Sequence, residues 1–289
     1  MSIIASPLRY PGGKSALTPF LTTLLGDNNL LGGVYAEPYA GGAGAAIKLL
    51  LDGAVRRIIL NDADKNIYSF WNAVLHHTED FLRLLWTVPV TVEEWHRQKS
   101  RLLDAELGVS LERGFAAFFL NRCNRSGILM ANPIGGLEQK GEWKLDVRFT
   151  RTGLAQRIEK IALRASDIEL HCLDALKFLA EMKTAEQADL FVFLDPPYHE
   201  KGGQLYLNAY GDEDHRNLAR FLSTNRGFNW VMTYDDTSFI RSLYREGFTT
   251  ATFAINYFAQ RKRVGTELLV LPPWTHLHGA MPALVRVSN

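Results

Sequence analysis

The chain has 289 residues, 47% hydrophobic, 22% charged and 11% aromatic, with a formal net charge of +1. Such a length and apolar content suffice for a large buried core, and the balance excludes a disordered chain of low hydrophobicity and high net charge. No apolar run reaches the roughly 18 residues of a membrane helix, Met1-Ser2-Ile3-Ile4 lacks a signal-peptide pattern, and Cys123 and Cys172 are too few for a disulfide framework, so a cytoplasmic protein without a metal is expected.

The chain opens on a loop, Leu8-Arg9-Tyr10-Pro11-Gly12-Gly13-Lys14-Ser15, from which a helix is expected near Ser15. Val34-Tyr35-Ala36-Glu37 reads as a short strand running into Pro38-Tyr39-Ala40-Gly41-Gly42-Ala43-Gly44, with an alanine- and leucine-rich helix over 43–51. Arg57-Ile58-Ile59-Leu60 is a second strand that ends on Asn61-Asp62. This order of strand, glycine turn, helix, strand and acid opens a doubly wound α/β domain.

From Tyr68 to Phe119 the apolar spacing is helical, after which residues 121–150 lose periodicity and gain Gly, Asn, Pro and Arg. An irregular stretch of that length inside a compact domain is usually functional or disordered, and Trp143 and Phe149 favour function. The α/β alternation resumes with a strand at 168–171 leading to Asp174. Leu190-Phe191-Val192-Phe193-Leu194 is wholly apolar, as for a strand inside a parallel sheet, and stops on Asp195-Pro196-Pro197-Tyr198. A helix over 212–224, a strand at 230–233, a helix over 238–247 and an antiparallel hairpin of 250–257 with 266–271 complete the pattern.

Charge is uneven along this order. Arg113 to Arg164 holds ten basic and four acidic residues, a local +6 against about −5 for the remainder. A basic segment on a neutral protein is either a footprint for phosphates or a solvated face.

Asp195-Pro196-Pro197-Tyr198 carries the most specific chemistry. Ligands of open α/β sheets sit beyond the carboxyl ends of strands, and this is such an end. Asp195 can accept hydrogen bonds from an amino group, the prolines hold the next backbone extended with carbonyls presented, and Tyr198 offers a flat face to a planar base. Together they suit gripping an exocyclic aromatic amine for attack on an electrophile. The turn at Glu37–Gly44 lets backbone approach a ligand closely, yet it is not the G-x-G-x-x-G fingerprint of dinucleotide binding. Asp62 has the position of a carboxylate that grips ribose hydroxyls, and also that of a helix cap. His76-His77 and His276/His278 lack partners at metal-ligand spacing.

Arg9-Tyr10-Pro11-Gly12-Gly13-Lys14, Glu37-Pro38-Tyr39 with its glycines, Asn61-Asp62 and Asp195-Pro196-Pro197-Tyr198 occur in one order. In this the chain resembles, over nearly its whole length, the Dam-type (D12 class, alpha group) DNA adenine-N6 methyltransferases. The resemblance implies a Rossmann-like S-adenosylmethionine-dependent methyltransferase sheet with an inserted, mostly helical DNA-recognition region. Residues 1–69 and 166–289 would form the catalytic domain and 70–165 the recognition insertion. It implies S-adenosylmethionine as methyl donor, duplex DNA as substrate, base flipping, and room for a restriction endonuclease partner in the same system. Tyr10, Lys14, Glu37, Gly41, Asp62, Asp174 and Asp195 would line the cofactor site, and Asp195, Pro196 and Tyr198 would be catalytic. Asn121-Arg122 with Gly127 resembles a short motif of the family's recognition region. Asn121, Arg122, Arg125, Lys140, Lys144, Arg148 and, in the C-terminal turn, Lys262 are the candidates for contact with DNA. The turn Gly-Gly-Ala-Gly and Ser126 depart from the family's commoner Gly-x-Gly and Asn. Cytosine-N4 methylation, or a non-catalytic DNA-binding protein on the same scaffold, are the alternatives; methylation of a small molecule would leave 121–150 without a purpose.

Overall fold

The computed structural model describes residues 5–9, 13–184, 188–200, 210–258, 262–278 and 285–286, of which 183–184, 254–258, 262–265 and 285–286 are described by backbone alone. Among the described residues eight strands form one sheet: β1 (Val34–Glu37), β2 (Arg57–Asn61), β3 (Ile168–His171), β4 (Leu190–Leu194), β5 (Asn229–Asp235), β6 (Thr249–Phe258), β7 (Lys262–Leu271) and β8 (Val285–Arg286). Their order is β3-β2-β1-β4-β5-β7-β6-β8. Neighbours among β1 to β5 run parallel; β7 runs antiparallel to β5, and β6 to β7. Strand order reverses between β1 and β4, the position at which open α/β sheets bind ligands.

Period-two patterning places alternate strand residues on opposite faces. Tyr35, Ile58, Leu60, Phe191, Phe193 and Val231 enter one core with α1 (Thr18–Asp27), α2 (Gly44–Leu51) and α3 (Lys65–His76). Val34, Ala36, Ile59, Val192, Leu194, Trp230 and Met232 enter the other. The expected strands are all present, and the C-terminal hairpin is longer at both ends.

The helical stretch after Tyr68 is not continuous. It is α3, α4 (Thr78–Thr87), α5 (Val92–Leu103) and α6 (Leu111–Cys123). Pro89 cannot donate to a helix ladder, and each later start is capped: the Thr91 hydroxyl accepts from Glu94 N, and the Ser110 hydroxyl from Arg113 N. The expected boundary at 69/70 falls inside α3, whose Phe70 stacks on Phe118 of α6 with ring centroids 5.9 Å apart. Phe70, Phe81, Phe115 and Phe118 lie in the same core as Leu24 and Ile47, so this segment is fused to one face of the sheet rather than set apart.

Further helices among the described residues include α7 (Arg151–Ala162), α8 (Ala175–Thr184) and α9 (Asp212–Thr224). The first two were not expected, although Leu154, Ala155, Ile158 and Ile161 of α7 have the spacing of one buried face. The helix expected over 238–247 is only α10 (Ser238–Leu243), because Tyr244 leaves helical geometry and Gly247 takes a positive φ. Among the described residues no helix is long and apolar enough to cross a membrane.

Candidate active site

The carboxyl ends of the four strands around the reversal each present an acid from this sequence pattern. Glu37 ends β1, Asp62 follows β2, Asp174 lies beyond β3, and Asp195 follows β4. The edge is stitched by Asn61, which is fully buried. Its Nδ2 donates to the carbonyls of Pro38 (2.9 Å) and Leu173 (3.0 Å), and its Oδ1 accepts from Leu173 N (2.9 Å).

Asp195 stands at the centre of a buried polar cluster drawn from distant parts of the chain. Lys14 Nζ donates to Asp195 Oδ2 (2.8 Å) and to the Tyr198 hydroxyl (2.8 Å), and lies 3.6 Å from Glu267 Oε1. Thr233 Oγ1 donates to Asp195 Oδ1 (2.8 Å), and the Tyr198 hydroxyl donates to Glu267 Oε1. Burial pulls the Lys14 pKa down, but Asp195 and then Glu267 outweigh it, so the group is held above the ordinary lysine value and stays an ammonium. On the next strand Asp235 accepts the backbone N–H of His199 (3.0 Å) and of Glu200 (2.9 Å), pinning the chain as it leaves the motif.

Beside it lies the turn after β1. Glu37 is buried, with Oε1 accepting from the Tyr35 hydroxyl and from Ala46 N, each at 3.1 Å. Burial pushes its carboxyl up to about 8 against these bonds. Asp62 is pushed up to about 7 by burial, although Asp64 N (2.9 Å) and Gly41 N (2.8 Å) donate to it. Gly41 has φ +47°, a conformation glycine adopts at little cost, and its carbonyl accepts from Trp71 Nε1 at 2.9 Å. A Cβ on Gly44 would stand 2.2 Å from Ser15 Oγ, so the loop carrying Lys14 rests directly on the start of α2.

These groups fit a nucleoside donor with an amino-acid tail. Two high-pKa carboxyls can release a proton to take an ammonium or accept from a ribose diol, and a glycine in the turn lets a ligand approach the backbone closely. Glu37, Gly41 and Asp62 are brought together; Asp174 is exposed, with Oδ1 accepting from Leu176 N (2.9 Å) and Lys177 N (3.2 Å) as the cap of α8. Tyr10 lies outside the described residues.

Three expectations need correction. Tyr198 offers no open face: its side chain is 5% exposed, the Lys14 ammonium sits 5.3 Å from its ring centroid, and its hydroxyl is engaged. Asn121 is buried and holds the N-terminal segment, accepting from Arg9 N (2.7 Å) and donating to the carbonyls of Arg9 (2.7 Å) and Gly127 (2.8 Å). Arg122 is likewise buried, donating through Nε to the Arg148 carbonyl (2.7 Å) and through Nη1 to that of Pro7 (3.4 Å). Burial and the neighbouring Arg9 lower its pKa to about 9. A Cβ on Gly127 would meet the Arg9 carbonyl oxygen at 2.3 Å. The Asn121-Arg122…Gly127 pattern is therefore a clasp on residues 7–9, with no donors turned outward to bases.

Much of the local positive charge is also structural. Arg113, Arg151 and Arg164 donate to backbone carbonyls of Leu102, Val88 and Leu50. Arg125, Lys140, Lys144 and Arg148 remain exposed. Lys140 pairs with Glu138, and Lys144 Nζ braces its own loop through the carbonyls of Gln139 (2.7 Å) and Gly141 (3.0 Å). The side chain of Lys262 lies outside the described residues. Sequence reasoning missed the parts played by Thr233, Asp235 and Glu267. The available signal for Glu267 was a carboxylate beside the apolar run Leu268–Leu271, fully buried in β7.

The sheet order, the reversal point and the acids along its edge define a Rossmann-like S-adenosylmethionine-dependent methyltransferase. More narrowly, the family model for D12 class N6 adenine-specific DNA methyltransferases matches residues 10–260, and the chain belongs to that family. The reaction is methyl transfer from S-adenosylmethionine to adenine N6 in DNA. No curated protein matches the sequence. Solved structures similar to it include a protein from Pyrococcus horikoshii assigned as an RNA methyltransferase (13% identity, 92% of this chain and 86% of that one, TM-score 0.42). Others are an S-adenosylmethionine-dependent methyltransferase from Agrobacterium tumefaciens (11%, 90% and 62%, 0.41) and an rRNA methyltransferase from Streptomyces viridochromogenes (12%, 92% and 87%, 0.37). Likeness at these scores adds nothing to the sheet order itself.

Proposed function

We propose that the methylation site of this enzyme is the cluster at the ends of β1 and β4, with Asp195 as the catalytic residue that receives the target amine. The observation that carries the reading is Asp195 at the strand-order reversal, oriented on one oxygen by Lys14 and on the other by Thr233. An adenine N6 amine is a weak nucleophile because its lone pair is delocalised into the ring. Hydrogen bonds from N6–H to Asp195 and to the Pro196 carbonyl favour a pyramidal nitrogen with a directed lone pair, so positioning and electrostatics supply the rate. Asp195 or water takes the proton that the methylated amine releases.

S-adenosylmethionine, when bound, supplies an electrophilic methyl group on a sulfonium. Glu37 and the Gly41 turn hold its amino-acid end and Asp62 its ribose. Asp174, at the exposed edge, borders its adenine. Because the target base cannot be reached inside a stack, it is flipped out of the duplex. Tyr198 acts through its hydroxyl as a positioning residue for Lys14. The segment 70–165 forms the recognition region, with Arg125, Lys140 and Arg148 meeting phosphates or base edges and Lys262, at the start of β7, meeting the DNA backbone. We read the enzyme as a cytoplasmic protein, with room for a restriction endonuclease partner in the same system.

The test is incubation of wild type and Asp195→Ala with methyl-labelled donor and mixed-sequence duplex DNA, followed by nucleoside analysis. Wild type should yield N6-methyladenine, and the variant should yield none while still binding the donor. Activity of the variant refutes the role of Asp195; label on cytosine N4 refutes the choice of base.

A further inference from the structure

Four arginines meet where the N-terminal segment is clasped. Arg122 of α6 donates from Nε and Nη2 to the Arg148 carbonyl and from Nη1 to that of Pro7 (3.4 Å). Arg157 of α7 places Nη1 3.5 Å from the adjoining carbonyl of Ser6, and Arg9 Nη1 donates to the Asn124 carbonyl (3.2 Å). Arg148 is exposed, and its side chain forms no hydrogen bond or ion pair among the described residues. Backbone carbonyls orient these groups without cancelling their charge.

Elsewhere the arginines of this chain find acids: Arg56 pairs with Asp189, Arg57 with Glu169 and Arg241 with Asp236. Here, among the described residues, none of the four is paired with a carboxylate. Asp146, close enough to act on Cys123 at the end of α6, is exposed and makes no ion pair with them. One turn from Arg157 along α7 stand Gly153, Leu154, Lys160 and Ile161, so no acid faces it on its own helix. Burial lowers the pKa of Arg9, Arg122 and Arg157. Repulsion from Arg148 adds to this for Arg9, and repulsion from Arg9, Arg157 and Arg148 adds to it for Arg122. Like charges gathered in partly buried positions disfavour the folded chain until an anion joins them. Arg148 keeps its whole fork of donors for that anion, a geometry that matches paired phosphate oxygens.

The place lies next to the chemistry. Arg9 is five residues from Lys14, a reach of at most about 17 Å, and Lys14 holds Asp195. At a rise of about 3.4 Å per nucleotide this reach covers about five nucleotides of one strand. We propose that Arg148 and Arg157, with Arg9 and the buried Arg122 behind them, form a seat for one backbone phosphate of DNA at the root of the 121–150 loop, near the target adenine. The inference rests on the reading of Asp195 as the methylation site in duplex DNA. It brings α7 into the DNA interface and explains why four cations are gathered without an acid.

Anisotropy of a labelled mixed-sequence duplex, titrated from about 50 to 200 mM salt, tests it in wild type, Arg157→Gln, Arg148→Gln and the double variant. Each single variant should bind about tenfold more weakly and lower the slope of log affinity against log salt by about one. The double variant should lose little more than either, because both give up the same phosphate. Full additivity of the two losses overturns the proposal, and so does unchanged affinity in Arg157→Gln. Arg148→Glu supplies the missing anion from the chain itself, a gain that a merely structural role would not produce. The melting temperature of the free protein should then rise by about 2 °C while DNA affinity falls at least tenfold. An unchanged or lower melting temperature overturns the proposal, and this exposed substitution keeps the test decisive should Arg157→Gln not fold. Wild type that binds no duplex DNA refutes the reading of the substrate, an outcome distinct from wild-type binding that the variants leave intact.

Discussion

Asn121→Ala separates two readings of one residue. If Asn121 reads bases, its loss weakens DNA binding and leaves the free protein intact. In the structure it makes three bonds of 2.7–2.8 Å: from Arg9 N, and to the carbonyls of Arg9 and Gly127. Truncation strips partners from one N–H and two carbonyls around a side chain that is 1% exposed. At about 1 kcal/mol for each orphaned group the cost is about 3 kcal/mol. In a chain of this length each kcal/mol lowers the melting temperature by about 2 °C, so a fall of about 6 °C is expected. Thermal unfolding followed by near-ultraviolet circular dichroism, without DNA or donor, measures it. A shift smaller than about 1 °C together with weakened DNA binding would refute the clasp and restore the base-reading role.

Tyr198→Phe keeps the ring and removes the hydroxyl that links Lys14 to Glu267, so turnover should fall at least tenfold with donor affinity preserved; full activity would show that only the ring matters. Glu37 has its folded pKa raised from 4.5 to about 8, so it binds its proton more tightly when folded. The stability this contributes is complete below the unfolded value and is lost as pH rises through about 8. Glu37→Gln should therefore flatten that loss, gaining about 3 kcal/mol on wild type between pH 5 and 8 in urea titrations, and parallel profiles would refute the assignment. Arg148→Ala, at an exposed position, should reduce the slope of log affinity for DNA against log salt by about one, whereas an unchanged slope would make it a plain surface charge.

What the sequence disclosed follows from how local the signals are. Strands such as Leu190–Leu194 are short apolar runs bounded by turn residues, and their order with the intervening helices leaves little choice but a parallel sheet. The acids at their ends could be named for the same reason. Contacts between distant segments carry no such mark. Nothing in Asn121-Arg122 says that their side chains turn inward to Pro7 and Arg9, since an amide and a guanidinium serve a carbonyl as readily as a base. Tyr198 misled likewise, because an aromatic beside an acid has two useful ends and only the fold decides which is offered. Glu267 was legible only as an anomaly, a charge beside an apolar run, and its partner Lys14 is contributed by the opposite end of the chain.

The clasp on Arg9 ties two functions to one short tether. From Arg9 to Lys14 the chain advances five residues, a reach of at most about 17 Å. One end of that tether is held by the base of the loop at 121–134, and the other delivers the ammonium that seats Asp195. The base of that loop therefore stays within this reach of Lys14 for as long as the clasp holds. An enzyme built this way can exchange the tip of the 121–134 loop freely, but the root of that loop is tied to Lys14, and change of sequence is confined to the residues beyond it.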